Sequence, residues 1–516
     1  MSEFNRKLLI IGIDGGTWNI LNEAIKLKQM PYLENLKVKG AYGTLISTVP
    51  PISPSAWGTI QTGKDAINNH IYEFYTFNKK TKKFNIVNSE FLESTVWDIL
   101  SNLGKKIALI NIPMTFPPKK INGYIISGIL TPSLDSNFTY PPDLKKKIIE
   151  KIPTYQLKYT EEKRHGNPIY NTKQFIENRI KNVKDRTKAC VYILHNYTID
   201  LLMVNFQAND ILQHSLWGYL NKDHELYNEK LKNYIYQKFY RTLDFCIELL
   251  IEEFRRIYPN ELLTIILSDH GFETHQKQFF LGDWLHHKGL LTIKKGLTKL
   301  TIKRKSKELI EKFHLGFIQT KILKILRKIL KSITNTVKSN WRESEFSSLV
   351  DMERSLVFST GIGLYGYIFF INKEQYDDKI LKYLQKELNK LKDPENNKKI
   401  VKKIFTKKEI YEGEKPELIP DLIIQPERGY SFVGLYRGKK KFLEKISITE
   451  SETIGKHSEE GILIINGNDV KSQKLADFSL RDITPTILNY FSIPLPDNLD
   501  GKVIKYIKLI NDSQRE

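Results

Sequence analysis

The chain has 516 residues, 41% of them hydrophobic and 27% charged, which is the balance of a folded globular protein with room for more than one domain. No apolar run is long enough to cross a bilayer, and the two cysteines, Cys190 and Cys246, each sit in a helix-like stretch, which argues against a disulfide framework. The net charge of +21 suits an anionic partner such as nucleic acid, an acidic membrane surface or a phosphorylated substrate, but Lys, Ile and Asn are abundant throughout, so charge alone selects none.

Residues 8–13 form a short apolar run that stops on Asp14-Gly15-Gly16. Such a run suits a strand buried on both faces, with its carboxylate at the sheet edge where ligands of open α/β sheets collect. It is too short for the apolar region of a secretory signal, so a first strand and a cytoplasmic protein are predicted. A helix cap is the plain alternative for Asp14. Next, Pro50-Pro51-Ile52-Ser53-Pro54 brings an extended approach into a helix, since proline is tolerated in a first turn. A hydroxyl at a helix N-terminus lies in a positive field that favours a bound phosphate, although an ordinary N-cap is the commoner use of serine there.

Strands are predicted over 105–112 and 123–129, followed by a polar, Tyr- and Lys-rich connection over 131–166 and a helix over 172–196. The buried run 200–206 then delivers Asp210 and His214. Four residues apart, they share one face of a helical turn and can chelate one ion. An amphipathic helix over 234–256 leads into a β-branched run ending on Ser268-Asp269-His270-Gly271-Phe272. An Asp-His pair at that edge can be aimed at one metal ion, with Gly271 letting the backbone turn away.

Residues 279–285 read as a helix packing on the core. From 294 to 338 the chain is strongly basic, with Ile318, Ile322, Ile325, Ile329 and Ile333 at helical spacing and Lys321, Lys324, Arg327, Lys328 and Lys331 between them. The preferred reading is an inserted helix lying on its own domain with a solvated basic face. A lid over an acidic substrate or a peripheral membrane contact are the alternatives. Residues 364–371, 377–391 and 401–405 suggest a small α/β subdomain, and 420–426 a return to the main sheet. His457 then precedes the apolar run 462–465, and a helix is predicted over 482–490. The predicted division is a catalytic core over 1–285 and 416–516, a basic helical insertion over 286–350 and a small α/β subdomain over 351–415. No phosphate-cradling G-x-x-x-x-G-K-[ST] and no nucleic-acid reader are visible.

Strand ends thus carry Asp14, Ser53, Asp210 with His214, and Asp269 with His270, and His457 joins them late. The mixture of imidazole and carboxylate suits zinc, with manganese the alternative. Two ions about 4 Å apart can clamp both oxygens of a phosphoryl displacement.

In these blocks the sequence resembles the alkaline phosphatase superfamily, in its type I phosphodiesterase/nucleotide pyrophosphatase branch, and within it the predicted phosphohydrolases and phosphomutases. The resemblance runs through residues 13–15, 53–64, 209–214, 268–272, 420–422, 457–462 and 482–501, in order and spacing. It implies a doubly wound, mostly parallel α/β sheet with an insertion, and two divalent ions. Asp14, Asp269 and His270 would hold the ion that activates Ser53 as a transiently phosphorylated nucleophile. Asp210, His214 and His457 would hold the second. The implied activity is hydrolysis of a phosphodiester or related ester of small-molecule, lipid or nucleotide type. Transfer to an alcohol by the same fold is the nearer alternative, and non-catalytic binding of an anion, a nucleic acid or a membrane surface the more distant one. The nucleotide pyrophosphatase branch carries an Asn where this chain has Glu73-Phe74, which argues against that specific activity. Lys64, Asn69 and His70 are candidate phosphate-side substitutes, with a structural loop the preferred reading of each.

Overall fold

The computed structural model describes residues 6–157, 168–259, 262–294, 349–371, 378–411, 415–446 and 455–506. A 10-stranded sheet dominates it. The strands lie in the order Gln473–Lys474, Ala41–Ile46, Glu460–Asn466, Leu262–Leu267, Lys7–Gly12, Leu201–Asn205, Ile107–Ile112, Gly123–Ser127 and Thr139–Tyr140, and Phe478–Ser479 also pairs with Ala41–Ile46. From Leu262–Leu267 to Gly123–Ser127 neighbours are parallel. Glu460–Asn466 and Thr139–Tyr140 pair antiparallel. This is the predicted mixed α/β class with a mostly parallel sheet.

Successive side chains of a strand point to opposite faces, and here both faces pack under helices. Leu9, Ile11, Val204 and Ile266 pack beneath helices that include Pro168–Asn196 and Arg241–Ile257. Leu8, Ile10, Met203 and Ile265 meet Ser53–Thr62, Val96–Asn102 and Ile483–Tyr490 on the other side. Because both faces are covered, the central strands read as continuous apolar runs. Cys190 and Cys246 lie buried and unbridged in the first helical layer.

A second core is built on two smaller sheets. Val357–Thr360, Gly366–Phe370, Leu422–Pro426 and Val401–Thr406 form one, all antiparallel. Ile362–Leu364, Tyr430–Val433, Lys277–Phe280 and Leu443–Lys445 form the other. One expectation is corrected here and two are refined. Leu422–Pro426 does not return to the main sheet; its Leu422, Ile423 and Ile424 are buried in the second core, and an apolar run covered on both faces carries no mark of which sheet it joins. The small sheets therefore draw on both sides of the boundary predicted at 415/416. Residues 279–285 divide between a strand end and the helix Leu281–His287, and they too pack in the second core. The polar connection 131–166 holds a short strand and the helix Leu144–Lys151, which anchors Leu144 and Ile148 in the first core.

The isoleucine–lysine pattern from Ile318 to Ile333 lies outside the described residues. The two chain ends flanking it meet, with Lys294 N donating to Leu349 O at 2.9 Å and Ile293 bridged to Val350. No helix among the described residues is long and apolar enough to cross a membrane.

Beyond the strand Leu262–Leu267 the chain continues into Gly271–Thr274, which pairs antiparallel with Gly455–Ser458 and sets Phe272 opposite His457. A Cβ on Gly271 would lie 2.1 Å from Glu460 O and 2.7 Å from Ser458 Oγ. Gly271 thus permits a close backbone approach rather than the turn expected of it. The turn belongs to Gly15, at φ +66°. Gly271→Ala is expected to lower stability by about 2–3 kcal/mol, seen as a reduced urea midpoint at unchanged slope. A wild-type midpoint would contradict this packing.

Candidate metal centre and nucleophile

Gly12 is in register with both Leu267 and Asn205, so three parallel strands end level. Asp14, the Ser268-Asp269-His270 turn and the helix Ala208–Leu220 leave from that common edge. His457 reaches it from the Gly455–Ser458 strand, and Ser53 from the first residue of Ser53–Thr62. All seven residues singled out in the sequence meet here.

Asp14, Asp269 and His270 offer ligand atoms that all lie within 4.8 Å of one another. His270 Nε2 is 3.6 Å from Asp14 Oδ1, 3.4 Å from Asp269 Oδ2 and 3.4 Å from Ser53 Oγ. Asp210, His270 and His457 make a second group on the same criterion. Asp210 Oδ1 is 3.1 Å from His457 Nε2 and 3.3 Å from His214 Nε2, and those two nitrogens are 2.8 Å apart. His270, stacked on His457 at 3.5 Å between ring centroids, belongs to both groups, whereas the family resemblance implies a place in the first alone. Phe272 packs edge-on or tilted against all three imidazoles. The plain alternatives fail. Thr17, not Asp14, occupies the N-cap position of the next helix, and Ile52, not Ser53, that of Ser53–Thr62.

The hydrogen bonds around the rings decide what the site can hold. Nδ1 of His214 donates to Gly455 O, Nδ1 of His270 to Gly271 O and Nδ1 of His457 to Pro51 O. A carbonyl only accepts, so in a neutral ring the Nε2 lone pair is left facing the cluster, as in a metal-ligating histidine. Asp14 Oδ1 and Asp269 Oδ2 are buried with no hydrogen-bond partner among the described residues. Their other oxygens are engaged, Asp14 Oδ2 by Asn205 Nδ2 at 2.7 Å and Asp269 Oδ1 by Gly15 N at 3.1 Å. Acceptors thus converge on acceptors, an arrangement that a cation relieves. The mixed nitrogen and oxygen donor set fits divalent zinc or manganese.

The titration of these groups tells the same story. Burial, then the charges of Asp269 and Asp210, push Asp14 well above the carboxylate range. Burial pushes Asp269 up to about 7. Asp210 is also buried, but its two histidine partners outweigh burial and hold it well below the usual value. Burial, reinforced by His457, keeps His270 neutral far below its ordinary value. Burial alone would lower His214, and Asp210 raises it instead.

Several contributors carry no sequence signal of their own. Ser47 Oγ donates to Asp269 O at 2.6 Å, and Ser268 Oγ to Gly16 O at 2.8 Å. Asn205, Asn209 and Gln213 all bond the Asp14-Gly15 turn. The i,i+4 spacing of Asn209 and Gln213 beside Asp210 and His214 is the one clue available. The structural-loop reading suits Asn69, whose Nδ2 donates to Thr62 Oγ1 and Lys64 O, and His70, which bonds Tyr411 Oη.

Comparison with known proteins adds three findings. The family model of the type I phosphodiesterases / nucleotide pyrophosphatases matches residues 8–459. No curated protein matches the chain. Among solved structures, human ectonucleotide pyrophosphatase / phosphodiesterase 5 aligns with a TM-score of 0.54 at 14% identity over 96% of this chain and 97% of that one. The murine protein of the same name, inactive and in complex with AMP, aligns with the same TM-score at 13% identity over the same shares. At these identities the likeness is one of fold.

A divalent cation at 100 times its dissociation constant is expected to stabilise the protein by about 2.7 kcal/mol, read as a raised melting temperature. Because the proton on Asp269 has to be displaced, affinity should weaken as pH falls below about 7. Titration calorimetry at pH 6 and 8 checks the sign, and equal affinities would contradict it.

Proposed function

The chain belongs to the type I phosphodiesterase / nucleotide pyrophosphatase family, and from that premise we propose that it is a divalent-cation-dependent phosphohydrolase acting through a phosphorylated Ser53. Its substrate on this reading is a small-molecule phosphodiester or related phosphate ester. The observation that carries it is the position of Ser53. Its hydroxyl opens a helix and lies 3.4 Å from His270 Nε2, in the cluster where Asp14 Oδ1 and Asp269 Oδ2 have no hydrogen-bond partner among the described residues.

Asp14, Asp269 and His270 would hold one ion and Asp210, His214 and His457 the other. Bound there, the ions would lower the pKa of the serine hydroxyl and of a water and neutralise charge on the phosphate. Ser53 Oγ forms a bond to phosphorus as the bond to the leaving alcohol oxygen breaks, and the serine proton departs with the alcohol. Water then replaces Ser53 at phosphorus and restores the hydroxyl. The N-terminus of Ser53–Thr62 directs its positive end at the phosphate oxygens throughout. Backbone bonds to Nδ1 hold the three imidazoles in the tautomer this requires.

The murine neighbour's AMP complex does not by itself make this chain a nucleotide enzyme. Where that branch has Asn, Glu73 here is buried and its carboxylate lies 3.4 Å from Phe74 N.

Hydrolysis of bis-p-nitrophenyl phosphate and p-nitrophenyl phosphate, with zinc or manganese added, tests the proposal. Cation-dependent turnover favouring the diester is expected, and Ser53→Ala should reduce it about 10³-fold or more. Folded, metal-loaded protein in which Ser53→Ala turns over like wild type would overturn the serine's role. Phosphorylated alcohol accumulating in place of phosphate would assign a transferase instead.

A further inference from the structure

We propose that Asn205, Asn209 and Gln213 are positioning residues that set the spacing between the two ligand groups, an inference that rests on the reading of the site given above. Asn205 Nδ2 donates to Asp14 Oδ2 at 2.7 Å, Asn209 Nδ2 to Asp14 O at 2.8 Å and Gln213 Nε2 to Gly15 O at 2.7 Å. All three side chains are buried, and their amide oxygens have no hydrogen-bond partner among the described residues. Leaving three acceptors unpaired in the interior is costly. The chain accepts that cost to aim three donors at one turn.

What they grip explains why. Asn205 ends the strand Leu201–Asn205, and Asn209 and Gln213 lie four apart on the helix Ala208–Leu220. Asp210 and His214, each one residue further on, occupy the adjoining stripe of the same helix. One stripe holds the turn that carries Asp14, and the next supplies ligands of the other group. Any slide or rotation of this helix therefore moves both groups together. The turn has no room to drift, because a Cβ on Gly15 would lie 2.5 Å from the Phe272 ring and 3.4 Å from Asp210 Cα. By engaging Asp14 Oδ2, Asn205 also decides that Oδ1 is the oxygen turned toward His270.

Manganese binding to the full chain, followed by calorimetry and by electron paramagnetic resonance, tests the assignment. Wild type is expected to take two Mn²⁺ and show the spectrum of a spin-coupled pair. Gln213→Met and Asn209→Leu keep side-chain bulk but remove the donor. Each is expected to weaken Mn²⁺ binding about 10- to 100-fold and to replace the coupled spectrum with that of isolated ions, while the circular dichroism stays native. Asn221→Leu, which removes a carboxamide at the end of the same helix bonded to Thr274, should leave both readouts unchanged. Wild-type affinity and coupling in Gln213→Met and Asn209→Leu would overturn the positioning role. So would an equal loss in Asn221→Leu, which would mark a general loosening of the helix. Wild-type protein that takes no Mn²⁺ would contradict the metal site itself, and is distinguishable because no variant is needed to see it.

Discussion

Three carboxylates and three imidazoles converge on a largely buried space, and among the described residues the ion-pair partners of Asp14, Asp210 and Asp269 are histidines alone. Two like charges 4 Å apart repel by about 4 kcal/mol at an effective dielectric constant near 20, far more than an exposed ion pair returns. The architecture around the site is what allows such a cluster to persist. Asp14 and the Asp269-His270 pair leave adjacent strands that end in register, and each strand is buried on both faces by a helical layer. Asp14 and the Asp269-His270 pair cannot spread apart without breaking the ladder that pairs their two strands.

One candidate ligand, His457, is held differently. His457 sits on a short strand clasped on both sides. Its neighbour Lys456 is buried against Glu273 at 2.9 Å, and nearby Glu459 accepts from Tyr365 Oη at 2.6 Å and from Gln425 Nε2. Tyr365 packs in the second core and Gln425 lies on a strand of the small antiparallel sheet. The smaller sheets thus hold, through side-chain hydrogen bonds, the strand that carries His457, which continues into Glu460–Asn466 of the main sheet.

Much of this was legible in the sequence because its signals are local. An apolar run that stops on Asp14, or on Asp269-His270, marks both a buried strand and the polar edge beyond it. The four-residue spacing of Asp210 and His214 marks one face of a helix. What escaped depends on tertiary context. Leu422–Pro426 reads as a central strand wherever it pairs, so its place in the small sheet could not be foreseen. Gly271 looks like a turn glycine, yet the backbone of Glu460 passing at 2.1 Å from its absent Cβ is what requires it. Asn205, Asn209 and Gln213 resemble ordinary polar residues until the Asp14 turn is folded against them. The helix Leu144–Lys151 has a local signal too, Leu144 and Ile148 four apart among lysines, which the reading of that stretch as a polar connection passes over.

The measurement that tests the site most directly is anomalous diffraction from crystals soaked in zinc or manganese. Two peaks about 4 Å apart are expected, one among Asp14, Asp269, His270 and Ser53 and the other among Asp210, His214 and His457. No peak in this cluster, in crystals that bind the ion elsewhere, would contradict the metal centre and the activation of Ser53 that depends on it.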